Sequence, residues 1–139
     1  MILMDPKKPN DLILYLKSRK GFVKLALELG NPIVPVFTFN LENCYDAFVP
    51  RGKFIEMISR KIGFLPLLFF GRFGIPYGIP KAVKITTVIG EPINIPCEKD
   101  NVSSGSVEKY HALYLEKVIE LFDRHKEANG YGHRNLVIV

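Results

Sequence analysis

The chain has 139 residues, enough for one domain with a sizeable core, and its 47% apolar and 24% charged content excludes a disordered chain. The net charge of +5 is uneven: residues 1–90 hold 13 Lys/Arg against 6 Asp/Glu, whereas residues 91–139 hold 6 against 8. Basic surfaces attract phosphates of any origin, and two cysteines, Cys44 and Cys97, are too few and too far apart for a disulfide scaffold or a zinc site.

In chain order, Met1–Met4 is apolar but is followed at once by Asp5-Pro6-Lys7-Lys8, so no signal peptide is expected. Residues 5–10 predict a loop, and the apolar run Leu12–Lys17 predicts a strand buried on both faces. Ser18 is a candidate N-cap for a short helix whose Phe22, Leu25, Ala26 and Leu29 recur at helical spacing. Gly30 suits the residue after that helix, and Pro32 stops it. Ile33–Phe39 predicts the next strand, with a missing ladder bond at Pro35. Strand, helix and strand in so short a span predict a βαβ unit with a parallel sheet.

A second short helix is expected at Lys53–Ile62, ended by Gly63. The apolar segment Ile62–Pro80 is broken by prolines, glycines and Arg72, and its longest uncharged run, Ile62–Gly71, is short of the ~17–25 residues of a spanning helix. Membrane contact in this chain would therefore be interfacial. Val83–Ile89 predicts a strand, Gly90-Glu91-Pro92 a turn, Ile93–Pro96 an extended piece and Glu98–Ser106 a polar loop. The last helix is expected over Val107–Ala128, capped by Ser106, with Val107, Tyr110, Tyr114, Val118, Leu121 and Phe122 as its apolar stripe. Gly130 ends it, and Leu136–Val139 is a terminal apolar tail.

Little here signals chemistry by itself. There is no G-x-S-x-G, no phosphate-loop glycine pattern and no metal-ligand spacing, so no metal is expected. His111 and His125 are separated by about 21 Å along a helix, too far to share a site, and read as helix histidines. Gly71, Gly74 and Gly78 read as turn punctuation, with Arg72 as a possible anion contact. The basic group Lys17, Arg19, Lys20 and Lys24 reads either as a solvated face or as an anion site, because it sits where a strand passes into a helix N-terminus. These cations are not laid along one helix and no nucleic-acid motif accompanies them, so a nucleic-acid partner is not expected.

The run from Leu16 to Leu27, LKSRKGFVKLAL, followed by Val34-Pro35-Val36 and Phe39, resembles the type-2 diacylglycerol acyltransferase family, which includes monoacylglycerol and wax-ester acyltransferases. Further matches are Gly71-Arg72 with Pro76-Tyr77, the run Val88–Ile93 (VIGEPI), Tyr110-His111 with Tyr114, and Leu121–Lys126 (LFDRHK) with Gly130-Tyr131. They follow family order over residues 12–139, and GRFGIPY looks closer to plant and protist members than to the animal form.

The resemblance implies an α/β fold, part of a glycerolipid-acyltransferase-like mixed sheet flanked by helices with a long C-terminal helix. It implies an O-acyltransferase on the cytosolic face of the endoplasmic-reticulum membrane. Such enzymes carry a fatty acyl group from acyl-CoA, a co-substrate rather than a bound cofactor, to a glycerolipid or alcohol hydroxyl. Diacylglycerol, monoacylglycerol and long-chain alcohol relatives share these motifs. The family's general base lies in an H-P-H-G motif; here no histidine precedes His111. That motif and the family's membrane hairpin are expected upstream of Met1, which makes residues 1–139 the C-terminal part of an acyltransferase domain, inactive alone. Arg19, Lys20 and Arg72 are the residues expected to meet acyl-CoA, with Gly21 and Phe22 shaping the helix start, Gly71 beside Arg72, and Val34, Pro35 and Val36 on the acceptor side. Asn40-Leu41-Glu42-Asn43 departs from the family's Gly-Glu-Asn after the phenylalanine. The rival expectation is a non-catalytic module that binds lipid or a membrane surface, motivated by Ile62–Pro80 and the basic field.

Overall fold

The computed structural model describes residues 2–5, 8–48, 57, 68–76, 78–99 and 101–139. The helix expected at Lys53–Ile62, Met57 excepted, and the first part of the Ile62–Pro80 segment lie outside the described residues. The elements are β1 (Ile2–Asp5), β2 (Lys8–Leu14), α1 (Gly21–Leu29), β3 (Val36–Phe39), β4 (Asp46–Phe48), β5 (Leu68–Phe70), β6 (Thr86–Ile89), α2 (Ser104–His125) and β7 (Asn135–Ile138). The architecture is mixed α/β, with small sheets and a long C-terminal helix among the described residues. They group into two compact units, Met1–Phe39 with Thr86–Val139, and Asn40–Ile85.

In the first unit β2 is the middle strand of a three-stranded sheet, antiparallel to β1 and parallel to β7, with Leu12 opposite Leu136. Two expectations change here. The loop expected at residues 5–10 is largely strand, because β1 folds back on β2 as a hairpin; the strand expected to reach Lys17 ends at Leu14. The apolar tail is likewise a sheet strand, β7.

The predicted βαβ unit does not form. β3 pairs with β6, antiparallel, in a separate sheet, so β2 and β3 share no ladder. Opposite residues alternate in facing: Phe37 and Phe39 point inward, whereas Val36, Ile89 and the hydrogen-bonded Thr38 and Thr87 hydroxyls face out. The regular ladder covers only Val36–Phe39 and Thr86–Ile89, shorter than the predicted Ile33–Phe39 and Val83–Ile89. It resumes as an isolated bridge between Ile33 and Ile93. Between bridge and ladder the 89–93 side has one residue more, a bulge at Gly90-Glu91-Pro92. The Gly90 N–H donates to the Pro35 carbonyl at 2.8 Å, and a Cβ on Gly90 would lie 2.8 Å from the Pro35 ring. VPV and VIGEPI are thus one paired ribbon whose glycine makes room for its proline.

Helix α1 starts without a side-chain cap: Lys20, not Ser18, occupies the cap position. Its buried face is Val23, Ala26 and Leu27, so the predicted stripe is turned on the helix, leaving Leu25 and Leu29 55% and 58% exposed. It ends at Gly30, where φ is 68° and a Cβ would come 2.7 Å from that of Cys97.

Helix α2 begins three residues before the predicted start. Ser103, not Ser106, is its cap, its Oγ accepting the Ser106 N–H at 3.0 Å, while the Ser106 hydroxyl donates to Glu98 at 2.8 Å. It ends at His125 rather than Ala128. The predicted stripe faces inward. Val118, Leu121 and Phe122 are buried with Leu12, Phe37, Phe39 and Tyr131, and Val107, Tyr110 and Tyr114 pack on the α1 face together with Ile93 and Ile95. Phe122 meets Phe37 edge-on at 5.1 Å and stacks on Phe39 at 5.7 Å, pairs worth about 0.5–1.5 kcal/mol each beyond area burial.

In the second unit β4 pairs antiparallel with β5. Asn40 adopts φ 67° and donates to the Lys84 carbonyl at 2.9 Å. The left-handed region is most open to Gly and then Asn, so Asn40 fits the place where the resembled family has glycine. A short 3-10 turn, Leu41–Cys44, takes up the extra residue.

Candidate functional cleft at two helix starts

The residues between β2 and α1 are held from two sides. The N–H groups of Leu16 and Lys17 both donate to the Val139 carbonyl at 3.0 Å. From α2, His111, only 4% exposed, places Nε2 at 3.1 Å from the Leu16 carbonyl, which fixes that nitrogen as the donor. Phe22 packs beside it, 5.0 Å from Tyr114 and 6.2 Å from His111 between ring centres. Burial pushes the Tyr114 phenol above the usual tyrosine range.

Beyond this turn an open cleft of about 380 Å³ lies between the N-termini of α1 and α2. Lys20, Gly21 and Lys24 line one side; Ser104, Val107 and Glu108 of α2 line the other, with Val102. The α1 start, which has no side-chain cap, favours an anion there, whereas at α2 Ser103 already accepts the Ser106 N–H. Lys20 Nζ lies 3.3 Å from Glu108 and Lys24 Nζ lies 3.9 Å from Glu28, both exposed pairs that a stronger anion can displace at little cost. A Cβ on Gly21 would meet no protein atom within 4 Å, so its missing side chain leaves space on the cleft side rather than packing against the protein.

The structure brings together Lys20, Gly21 and Lys24. Arg19 adjoins them in sequence, is exposed, and has no ion pair among the described residues. Phe22 faces the core, not the cleft. Pro35 is buried, while Val34 is exposed ahead of β3 and Val36 is exposed on the outer face of β3. Gly71 and Arg72 belong to the other unit, where the Arg72 guanidinium lies 5.2 Å from the centre of its neighbour Phe73.

Sequence reasoning missed Val102, Ser104, Val107 and Glu108 as cleft residues. Nothing local marks Glu108, which lies beyond the first turn of α2, as the partner of Lys20. LFDRHK is accounted for by packing and helix-end bonds: Leu121 and Phe122 are core, Arg124 pairs with Glu120, Lys126 with Asp123, and His125 donates from Nδ1 to the Leu121 carbonyl at 3.0 Å. Among the described residues no three His, Cys, Asp or Glu side chains are grouped as a metal site. No helix of the described residues is long and apolar enough to cross a membrane.

A family model described as diacylglycerol acyltransferase matches residues 5–139. A diacylglycerol O-acyltransferase 2 of Dictyostelium discoideum is 44% identical over 81% of this chain and 36% of its own length. The human protein of that name is 36% identical over 88% of this chain and 34% of its own. The mouse acyl-CoA wax alcohol acyltransferase 2 is 36% identical over 94% of this chain and 42% of its own. The chain therefore spans between a third and about two fifths of the length of these relatives. No solved structure matches.

Proposed function

The chain belongs to the diacylglycerol acyltransferase family, and from that premise we propose that it is part of an acyl-CoA-dependent O-acyltransferase that acylates a glycerolipid hydroxyl at the cytosolic face of the endoplasmic-reticulum membrane. The observation that carries the reading is the cleft, in which two helix starts, Lys20, Lys24 and the bare Cα of Gly21 face one space. Its chemistry suits the phosphates of acyl-CoA, with Arg19 at its margin. Gly71 and Arg72 are the proposed second contact with that co-substrate, and Val34, Pro35 and Val36 the proposed acceptor side. The small sheets would then be part of a glycerolipid-acyltransferase-like sheet.

The thioester is already activated, so the reaction needs a base on the acceptor hydroxyl and donors for the oxyanion. Within residues 1–139, His111 is buried and bonded to a backbone carbonyl, His125 is bonded within its own helix turn, and His133 is exposed in a turn beyond α2. We therefore assign the base to the family's histidine motif outside these residues, and this chain to co-substrate binding and scaffold.

Calorimetric titration with CoA tests the cleft. Gly21→Ala replaces a helical glycine without a protein clash, so the fold should hold or gain about 0.5–1 kcal/mol while CoA binding weakens. Lys24→Ala should weaken CoA binding about tenfold. CoA affinity indifferent to both variants overturns the assignment. The purified chain should also give no acyl transfer from labelled acyl-CoA to diacylglycerol, and turnover above background would remove the inactive-fragment reading. Vesicle binding without any CoA binding would favour a non-catalytic lipid-surface module instead.

A further inference from the structure

The second unit carries an apolar tip that the acyl-CoA reading does not use. Phe73 is 79% exposed and Ile79 70%, with Ile75 also exposed. They project from one short loop, residues 71–80. Its shape is fixed by backbone bonds: the Arg72 N–H donates to the Ile79 carbonyl at 2.7 Å, and the Gly71 and Gly78 N–H groups both donate to the Ile75 carbonyl. The Gly74 N–H donates to the Gly71 carbonyl at 3.3 Å. Pro76 and Pro80 have no N–H to satisfy. The loop is also tightly folded, since a Cβ on Gly71 would overlap the Ile79 carbonyl.

Phe73 itself sits at φ 67°, a conformation unfavourable for a bulky side chain. Glycine would be the relaxed choice there. A strained backbone that presents an aromatic ring to solvent is a cost without a return inside the fold. Next to the ring stands the Arg72 guanidinium.

We propose that Phe73, Ile75 and Ile79 form a shallow insertion tip seated in the interfacial region of an anionic bilayer, with Arg72, also the proposed acyl-CoA contact, at the depth of the headgroup phosphates. Two features favour lipid over a protein partner. The N–H groups of Gly71, Arg72, Gly74 and Gly78 are bonded within the loop, as a medium poor in donors and acceptors requires. The guanidinium next to the ring is complementary to acidic headgroups. The inference deepens the membrane-facing part of the function proposed above and rests on it, but its test is independent of CoA.

The chain has no tryptophan, so Phe73→Trp supplies a single reporter. With phosphatidylcholine–phosphatidylserine vesicles its emission should shift to the blue and be quenched by lipids brominated near the headgroup end of the acyl chain. Leu25→Trp, on an exposed face of α1, should show neither effect. Phe73→Asp and Ile79→Asp should each lower vesicle partitioning by about tenfold or more, and Arg72→Gln should reduce its dependence on salt and on phosphatidylserine. Phe73→Gly separates folding from binding: it relieves the strained φ, so the urea midpoint should rise while partitioning falls. Unquenched Phe73→Trp, or partitioning unaltered by the Asp variants, overturns the proposal. So does a shift from oligomer to monomer caused by Phe73→Asp without vesicles, which would assign the tip to a second copy of the chain. If the tip result fails while CoA binding still responds to Lys24→Ala, the acyl-CoA reading stands without it.

Discussion

Phe122 and Phe73 are the same side chain in opposite circumstances. Phe122 is buried against Phe37 and Phe39, with the Lys126 ammonium over its ring, in the Met1–Phe39 and Thr86–Val139 unit; Phe73 stands out of the Asn40–Ile85 unit on a backbone of φ 67°. The difference teaches that aromatic content does not by itself stabilise a fold. A ring stabilises where a helix stripe and a sheet face meet over it, and elsewhere it is available to a surface outside the protein.

The widest gap between the two should be in stability. Phe122→Ala should cost about 3–5 kcal/mol in urea unfolding, against less than about 0.5 kcal/mol for Phe73→Ala; equal losses would break the comparison. Polar groups should divide the same way. His111→Ala removes a buried imidazole and one of two donors to the Leu16 carbonyl, which keeps the Arg19 N–H at 2.9 Å, and the vacated space should cost about 1–3 kcal/mol, whereas removing the exposed Lys81–Asp46 pair of the other unit with Lys81→Ala should cost less than about 1 kcal/mol. Ser103→Ala removes the α2 cap and should cost about 1 kcal/mol, read as a lower thermal midpoint. The smallest effect should be in alkali. Burial raises the Tyr114 phenol above its unfolded value of 10.0, so its contribution is intact below pH 10 and is lost as the pH rises through and above that value. Tyr114→Phe should flatten that part of the stability–pH curve without altering it near neutrality.

The last helix and its stripe were legible because Val107 to Phe122 repeat at helical spacing over several turns. Its start was not, because Ser103, Ser104 and Ser106 are all plausible caps and the choice depends on Glu98, which holds Ser106 from outside the helix. The α1 stripe was misread for a related reason. Leu25 and Leu29 fit the period as well as Val23 and Leu27 do, and over nine residues only the neighbours, Ile93 and Ile95, decide which face is buried. The βαβ expectation failed because strand partners are chosen at long range, and Phe37 and Phe39 find their ladder in Thr86–Ile89. At the site, Lys20, Gly21 and Lys24 were readable as a basic helix start, but the opposing wall from α2 was not. Gly71 and Arg72, the other residues expected to meet acyl-CoA, lie in the Asn40–Ile85 unit.

The pairing of β2 with β7 bears on how the protein is made. Residues 11–14 occupy the middle of their sheet, yet the strand that completes it is residues 135–138. During synthesis the β1–β2 hairpin can close early, but one edge of β2 must stay unpaired until residues 135–138 have left the ribosome. The turn that follows β2 waits equally long, because the carbonyl that receives the Leu16 and Lys17 amides belongs to Val139. Such long loop closure slows folding and prolongs exposure of an apolar strand edge. The turn after β2 therefore acquires its shape only once Val139 has been translated.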